Sequence, residues 1–211
     1  MKIFMASLPH CPIAPLISVP MTRTRLEAFS DGVIAILITI MVLELRLKDA
    51  PEWSTLRDAA PDFVAYLLSF IYLGIYWTNH HHFMYAIDRV NGAILWANLH
   101  LLFWLSIVPG TTSWLGRNSH AAIPTAAYGI SLLMPSVAWL IMQRVIIRSQ
   151  GPDSKLAALI GNDRKGMLSG ALYVIAIPLA FVLPLASDVI YGIVAMMWLV
   201  PDRRVERHVS K

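Results

Sequence analysis

Six mainly apolar runs, most of them about as long as a bilayer is thick, follow one another along this chain: 26–45, 63–83, 92–112, 122–147, 167–185 and 187–203. A hydrocarbon core of about 30 Å needs roughly 20 residues of helix, each rising about 1.5 Å. Lipid offers no water to a backbone N–H or C=O, so each crossing segment must bond within itself, and helices rather than strands are expected. The pattern predicts an all-α integral membrane protein with six transmembrane helices. The last run is the weakest, with Asp188 near its start, and Pro184 to Asp188 predicts a tight turn between the fifth and sixth spans. Pro109, Pro135 and Pro178 fall inside the third, fourth and fifth runs, where proline predicts kinks.

Composition agrees. Hydrophobic residues make up 57% of the 211 and charged residues only 14%, against about 25% charged in soluble domains. A single cysteine, Cys11, excludes an intrachain disulfide. The excess of 17 basic over 13 acidic residues reads as membrane topology rather than as a nucleic-acid surface. Only Arg46, Lys48, Arg57 and Arg117 fall on one side of the six-span layout. The N-terminal tail, the loops around 84–91 and 143–166, and the C-terminal tail carry the rest. That bias places both termini in the cytoplasm, in a multi-pass protein of the plasma membrane. The first twenty residues have Lys2 and an apolar stretch, as a secretion signal would. Pro9, Pro12, Pro15 and Pro20 interrupt it, however, and no small-residue cleavage site stands out. Residues 1–21 are therefore read as a leader, disordered or derived from an upstream start codon. Residues 22–205 form one membrane domain, and 206–211 a cytoplasmic tail.

The first run, "RLEAFSDGVIAILITIMVLEL" from Arg25 to Leu45, carries Arg25 and Glu27 at its mouth and Ser30 and Asp31 within it. A carboxylate at membrane depth is costly, and such a residue marks a functional site by default. On a helical wheel with Asp31 at zero, Leu43, Ile36 and Ile40 fall at about 120°, 140° and 180°, and Thr39 at about 80°. Ala35 and Ile38 flank Asp31. Spacing alone leaves this apolar stripe open to a second reading, since any lipid-facing helix would show one.

Other signals point away from chemistry. His80, His81 and His82 are adjacent on a helix, so their side chains diverge by about 100° and cannot converge on one metal ion. His100 and Ser106 are six residues apart, on different sides of one helix, which does not make a nucleophile and its base. Neither a metal site nor an enzyme is expected. The alternative of another class is a proton- or ion-coupled secondary transporter with Asp31 as the coupling site. Such sites typically lie near the midplane on broken helices, whereas Asp31 is near one end and no proline or glycine interrupts the helix after Gly32.

"RLEAFSDGVIAI" followed by Thr39 resembles the first-helix signature R-x-x-x-F-S-D of the transmembrane protein 175 family, the lysosomal potassium channel and its bacterial relatives. Arg25, Phe29, Ser30 and Asp31 match it. "YWTNHHHFMYAIDRVNGAILWANLHLLFWLSIVPGTTSWLG" at 76–116 is similar too, with its His-rich helix end, the Asp-Arg of the short loop, Asn98 and Pro109 in family-like order. At 109–112, "PGTT" stands where relatives often read closer to P-F-P-T.

The resemblance implies a homotetrameric channel in lipid, with the first helix of each subunit lining a central pore that lacks a carbonyl filter. No T-V-G-Y-G run or re-entrant Gly-rich loop is present here. It further implies K+ as permeant ion, no cofactor, and a hydrophobic constriction at Ile36 followed by Ile40 and Leu43, with Thr39 contributing to selection. If Ile36 faces the pore, Asp31 turns back into its own subunit, where its expected donors are His80, His81, His82 and Asn98. Ser30 and Asp31 are then read as a hydrogen-bonded lock on the rotation of the first helix, with Arg25 in the lock or at the pore entrance.

Overall fold

The computed structural model describes residues 21–45, 51–85, 87, 89–151 and 163–199. These residues form seven helices: α1 Arg23–Leu43, α2 Trp53–Asp58, α3 Ala60–Tyr85, α4 Gly92–Arg117, α5 Ala122–Gln150, α6 Arg164–Leu179 and α7 Pro184–Leu199. Each expected run is largely helical over its described part, the first ending at Leu43 and the fifth at Leu179. Helices α1, α3, α4 and α5 have 21 to 29 residues and are long and apolar enough to cross a membrane. Helices α6 and α7 have 16 residues each, or about 24 Å. Residues 1–20 of the leader and the whole C-terminal tail lie outside the described residues.

Local chemistry sets the ends. The Thr22 hydroxyl accepts the Arg25 N–H, the Asn91 carboxamide oxygen accepts the Ile94 N–H, and Asp163 accepts the Gly166 N–H, each satisfying an orphan donor of a first turn. The turn between the last two helices is Ala180–Leu183, not Pro184–Asp188 as expected. Pro184 instead opens α7, where its missing N–H and fixed φ suit a first helical position, and Asp188 lies inside the helix. Pro109, Pro135 and Pro178 are all accommodated within helices. The short helix α2 was not foreseen, because six residues are too few to show a period.

Helix α4 is the spine. It packs on α1, α3 and α5, while α5 in turn packs on α6 and α7. One apolar cluster joins α1 to the facing sides of α3, α4 and α5, through residues such as Leu37, Leu73, Leu101 and Met142. A second joins α3, α5, α6 and α7 and is rich in tyrosine. There the Ser69 hydroxyl meets those of Thr112 at 2.7 Å and Tyr128 at 2.8 Å. The Tyr72 hydroxyl donates to the Tyr191 carbonyl at 2.6 Å, and Tyr173 donates to Tyr72 at 3.1 Å. Polar groups at membrane depth are tolerated when paired in this way across helices. Helix α1 sits at the rim, packed against α3 and α4.

Gly129 on α5 is required by close approach. A Cβ there would strike the Tyr191 hydroxyl and lie 2.9 Å from Ile177 Cγ1, whereas a Cβ on Gly74 of α3 would meet nothing within 4 Å. Gly129→Ala should therefore push α7 and α6 off α5 and destabilise the fold by roughly 1–3 kcal/mol. Gly74→Ala should leave stability unchanged or raise it slightly. Thermal unfolding in a neutral detergent checks this. Equal melting of the two variants would refute the close approach.

Candidate functional site: the first helix and its anchor

Along α1 the residues split by face. Leu26, Ser30, Ile34, Leu37 and Met41 are buried. Phe29, Ile36, Thr39, Ile40 and Leu43 are exposed. The contrast is wide: Ile36 is 57% exposed and Leu43 77%, against 1% for Ile34. Ile38 is partly buried and packs against the core. All four residues of the expected pore stripe thus share the one face of α1 that the other described residues leave uncovered. On that face the Thr39 hydroxyl donates to the Ile36 carbonyl at 2.8 Å. Its hydrogen is committed to the backbone, and its oxygen lone pairs remain as acceptors.

The buried face is held by a directed chain of hydrogen bonds. The Ser30 hydroxyl donates to the Leu26 carbonyl at 2.9 Å. The Asn98 amide on α4 donates to the Ser30 oxygen at 2.9 Å. The Asn98 carbonyl, 2.8 Å from His80 Nε2, accepts the remaining proton, which fixes His80 on α3 as the Nε2–H tautomer. Ser30, Asn98 and His80 are all 0% exposed. Three helices are joined through three side chains, each donating one hydrogen bond.

Asp31 is not in this chain, contrary to the reading from the wheel. Its Oδ1 accepts the Trp77 indole N–H at 3.1 Å, on the half-exposed flank between α1 and α3. Asn98 serves Ser30, and His81 Nδ1 meets Glu27 Oε1 at 2.7 Å. The physical reason is that adjacent helical residues point about 100° apart, so only one of Ser30 and Asp31 can face α4. A hydroxyl is far cheaper to bury there than a carboxylate. His82 is exposed, with its ring against that of His81. Arg25 and Phe29 are exposed as well, and it is Arg23 that reaches α3, donating to the Tyr85 carbonyl at 3.2 Å and lying over its ring. His80 was the member hardest to single out within its triplet. The signal was there in spacing, because Trp77, His80 and His81 lie at i, i+3 and i+4 and so share the side of α3 that meets α1.

The family model of the endosomal/lysosomal potassium channel TMEM175 matches residues 25–109, which span the exposed stripe, the anchor and most of α4. A potassium channel of Chryseobacterium sp. (strain P1-3) is 49% identical over 191 residues, covering 90% of this chain and 100% of that one. The chain belongs to the TMEM175 family. A potassium channel of Streptomyces collinus (strain DSM 40733 / Tue 365) is 30% identical over 187 residues, 82% of this chain and 90% of its own. The crystal structure of a lysosomal potassium-selective channel TMEM175 homolog from Chamaesiphon minutus superposes with a TM-score of 0.71 at 26% identity, covering 84% of this chain and 96% of that one. Within this TMEM175 chain, signature residues Ser30 and Asp31 thus divide their work, one anchoring α1 to α4 and the other to α3.

Asn98→Leu keeps the volume but leaves the His80 N–H buried without an acceptor, which costs roughly 1–3 kcal/mol. It should lower the melting temperature more than Asp31→Asn, which retains an oxygen for Trp77 on a half-exposed flank. Thermal unfolding of both variants decides between a buried anchor at Ser30–Asn98 and one at Asp31. If Asp31→Asn proves the more damaging, the anchor has been assigned to the wrong residue.

Proposed function

We propose that this chain is a potassium-permeable cation channel, conducting monovalent cations passively along a central path lined by α1. One observation carries the reading: Ile36, Thr39, Ile40 and Leu43 all lie on the uncovered face of α1, while the opposite face is anchored by hydrogen bonds to α4 and, through Asn98, to α3. A helix fixed in rotation and bare on one face is suited to line a path shared with other copies. One such helix cannot enclose a path, so the proposal includes a closed ring, a homotetramer, with α6 and α7 completing six spans and both termini in the cytoplasm. The relatives named as potassium channels support K+ as the permeant ion. They and the family are ion channels, not enzymes. Asp31 already holds Trp77 outside the stripe, which favours a channel over a transporter that couples through this carboxylate.

Four copies of Ile36 around an axis would form an apolar ring. An ion must keep its hydration there or lose it without replacement ligands, and such a ring can also close by dewetting. Larger ions shed water more readily, so preference for potassium over sodium follows, sharpened by the Thr39 oxygen one turn on. Ile36→Asn should raise conductance and lower the potassium-to-sodium permeability ratio, measured from reversal potentials in planar bilayers. Ile38→Asn, on the packed face, should reduce folded protein without opening the path. The pore face is misassigned if Ile38→Asn changes the ratio and Ile36→Asn does not.

Assembly has its own check. Native mass spectrometry of the detergent-solubilised protein should show a tetramer. Monomer alone, under conditions where conductance survives, would overturn the ring.

A further inference from the structure

On the side of α3 turned away from α1 lies an open cleft lined from α3, α5, α6 and α7. Its origin is geometric. Helices α3 and α5 both pack on α4, and α6 packs on α5, but α3 has no extensive contact with α5 or α6. The gap is closed at one end by the Tyr173–Tyr72 hydroxyl pair, and Trp198 of α7 lines it with its indole donating to Ser169 at 2.8 Å. Tyr76 and Trp139 line it too, meeting edge to face at 6.1 Å.

The polar groups of this cleft differ from those of the tyrosine network at its floor. Tyr76, Asn79, Ser136 and Trp139 all line it, and none of their side chains makes a hydrogen bond among the described residues. The only formally charged side chain among the described lining residues is Asp163, whose Oδ1 caps α6 by accepting the Gly166 N–H at 2.8 Å. Half-buried polar groups in a membrane protein call for partners. The aromatic faces of Tyr76, Trp139, Tyr173 and Trp198 attract cations, and an ammonium finds acceptors in the Tyr76 and Ser136 hydroxyls, the Asn79 carbonyl and the Asp163 carboxylate. An anion would meet the Asp163 charge, and a purely apolar chain would leave the polar groups unpaired.

We propose that this cleft binds the ammonium head of an amphiphile, a free alkylamine or an ethanolamine-headed lipid, with its chain laid along Ile75 and Leu140. The site is independent of the α1 path and does not rest on the channel reading. The probe is radiolabelled n-octylammonium, equilibrated with the full-length protein in maltoside micelles, with n-octanol and octanoate as competitors. Saturable binding of one equivalent per chain is expected, with little displacement by either competitor. Asp163→Asn, which retains an N-cap side chain and so the start of α6, should weaken binding by about tenfold, and Trp139→Leu by a similar factor. Both variants are checked for unaltered elution as folded protein, and Ile36→Asn should bind the probe like the parent. Added phosphatidylethanolamine that displaces the probe, where phosphatidylglycerol does not, identifies the lipid as the source. Retention of the probe against both identifies a free amine, and either result upholds the ammonium site. Non-saturable uptake, equal displacement by octanol, or Asp163→Asn binding at the parent affinity overturns it.

Discussion

The fold of the functional half turns on one buried amide. Asn98 sits on α4, against which α1, α3 and α5 all pack, and its carboxamide offers an acceptor to His80 and a donor to Ser30. Because an amide has distinct ends, the chain of bonds runs in one sense only, from α3 through α4 to α1. At membrane depth a broken link has no water to replace it, so the alternative rotations of α1 are penalised by unpaired groups as well as by lost packing. Helices in lipid lack a strong hydrophobic force to hold them together, and directed polar contacts of this sort therefore weigh more in choosing the geometry.

From that constraint the exposed face of α1 follows. Once Ser30 faces α4, the helical period sends Leu26, Ile34, Leu37 and Met41 inward, and Ile36, Thr39, Ile40 and Leu43 outward. The flank contacts Asp31–Trp77 and Glu27–His81 then steady α1 against α3 from the side. These flank pairs are half exposed, so each contributes less than the buried chain, and they serve mainly to keep the first turns of α1 aligned. The apolar face left bare is large for a single chain, as expected of a surface meant for lipid or for further copies.

The other half of the molecule is built differently. Tyrosine hydroxyls of α3, α5, α6 and α7 pair with one another, with Ser69 and with backbone carbonyls, which lets α6 and α7 pack closely against the long helices despite their 16 residues each. The same arrangement leaves the cleft beside Tyr76 and Asn79, since pairing at one level of the bundle holds the helices apart at the next.

The helical class, the order of the membrane runs and the stripe Ile36, Thr39, Ile40 and Leu43 were legible in the sequence, because length, apolarity and a 3.6-residue period are local properties. The membership in the family was legible too, from a motif of neighbouring residues. Which of Ser30 and Asp31 faces the core was not. That depended on Asn98, 68 positions away along the chain, and on the relative cost of burying a hydroxyl or a carboxylate opposite it. Nor could adjacency within His80, His81 and His82 tell which ring is buried, because that is decided by the rotation of α3 against α1 and α4. The turn at Ala180–Leu183 and the start of α7 at Pro184 likewise waited on the structure, since a proline can end one helix or begin the next and only the packing of the two helices decides.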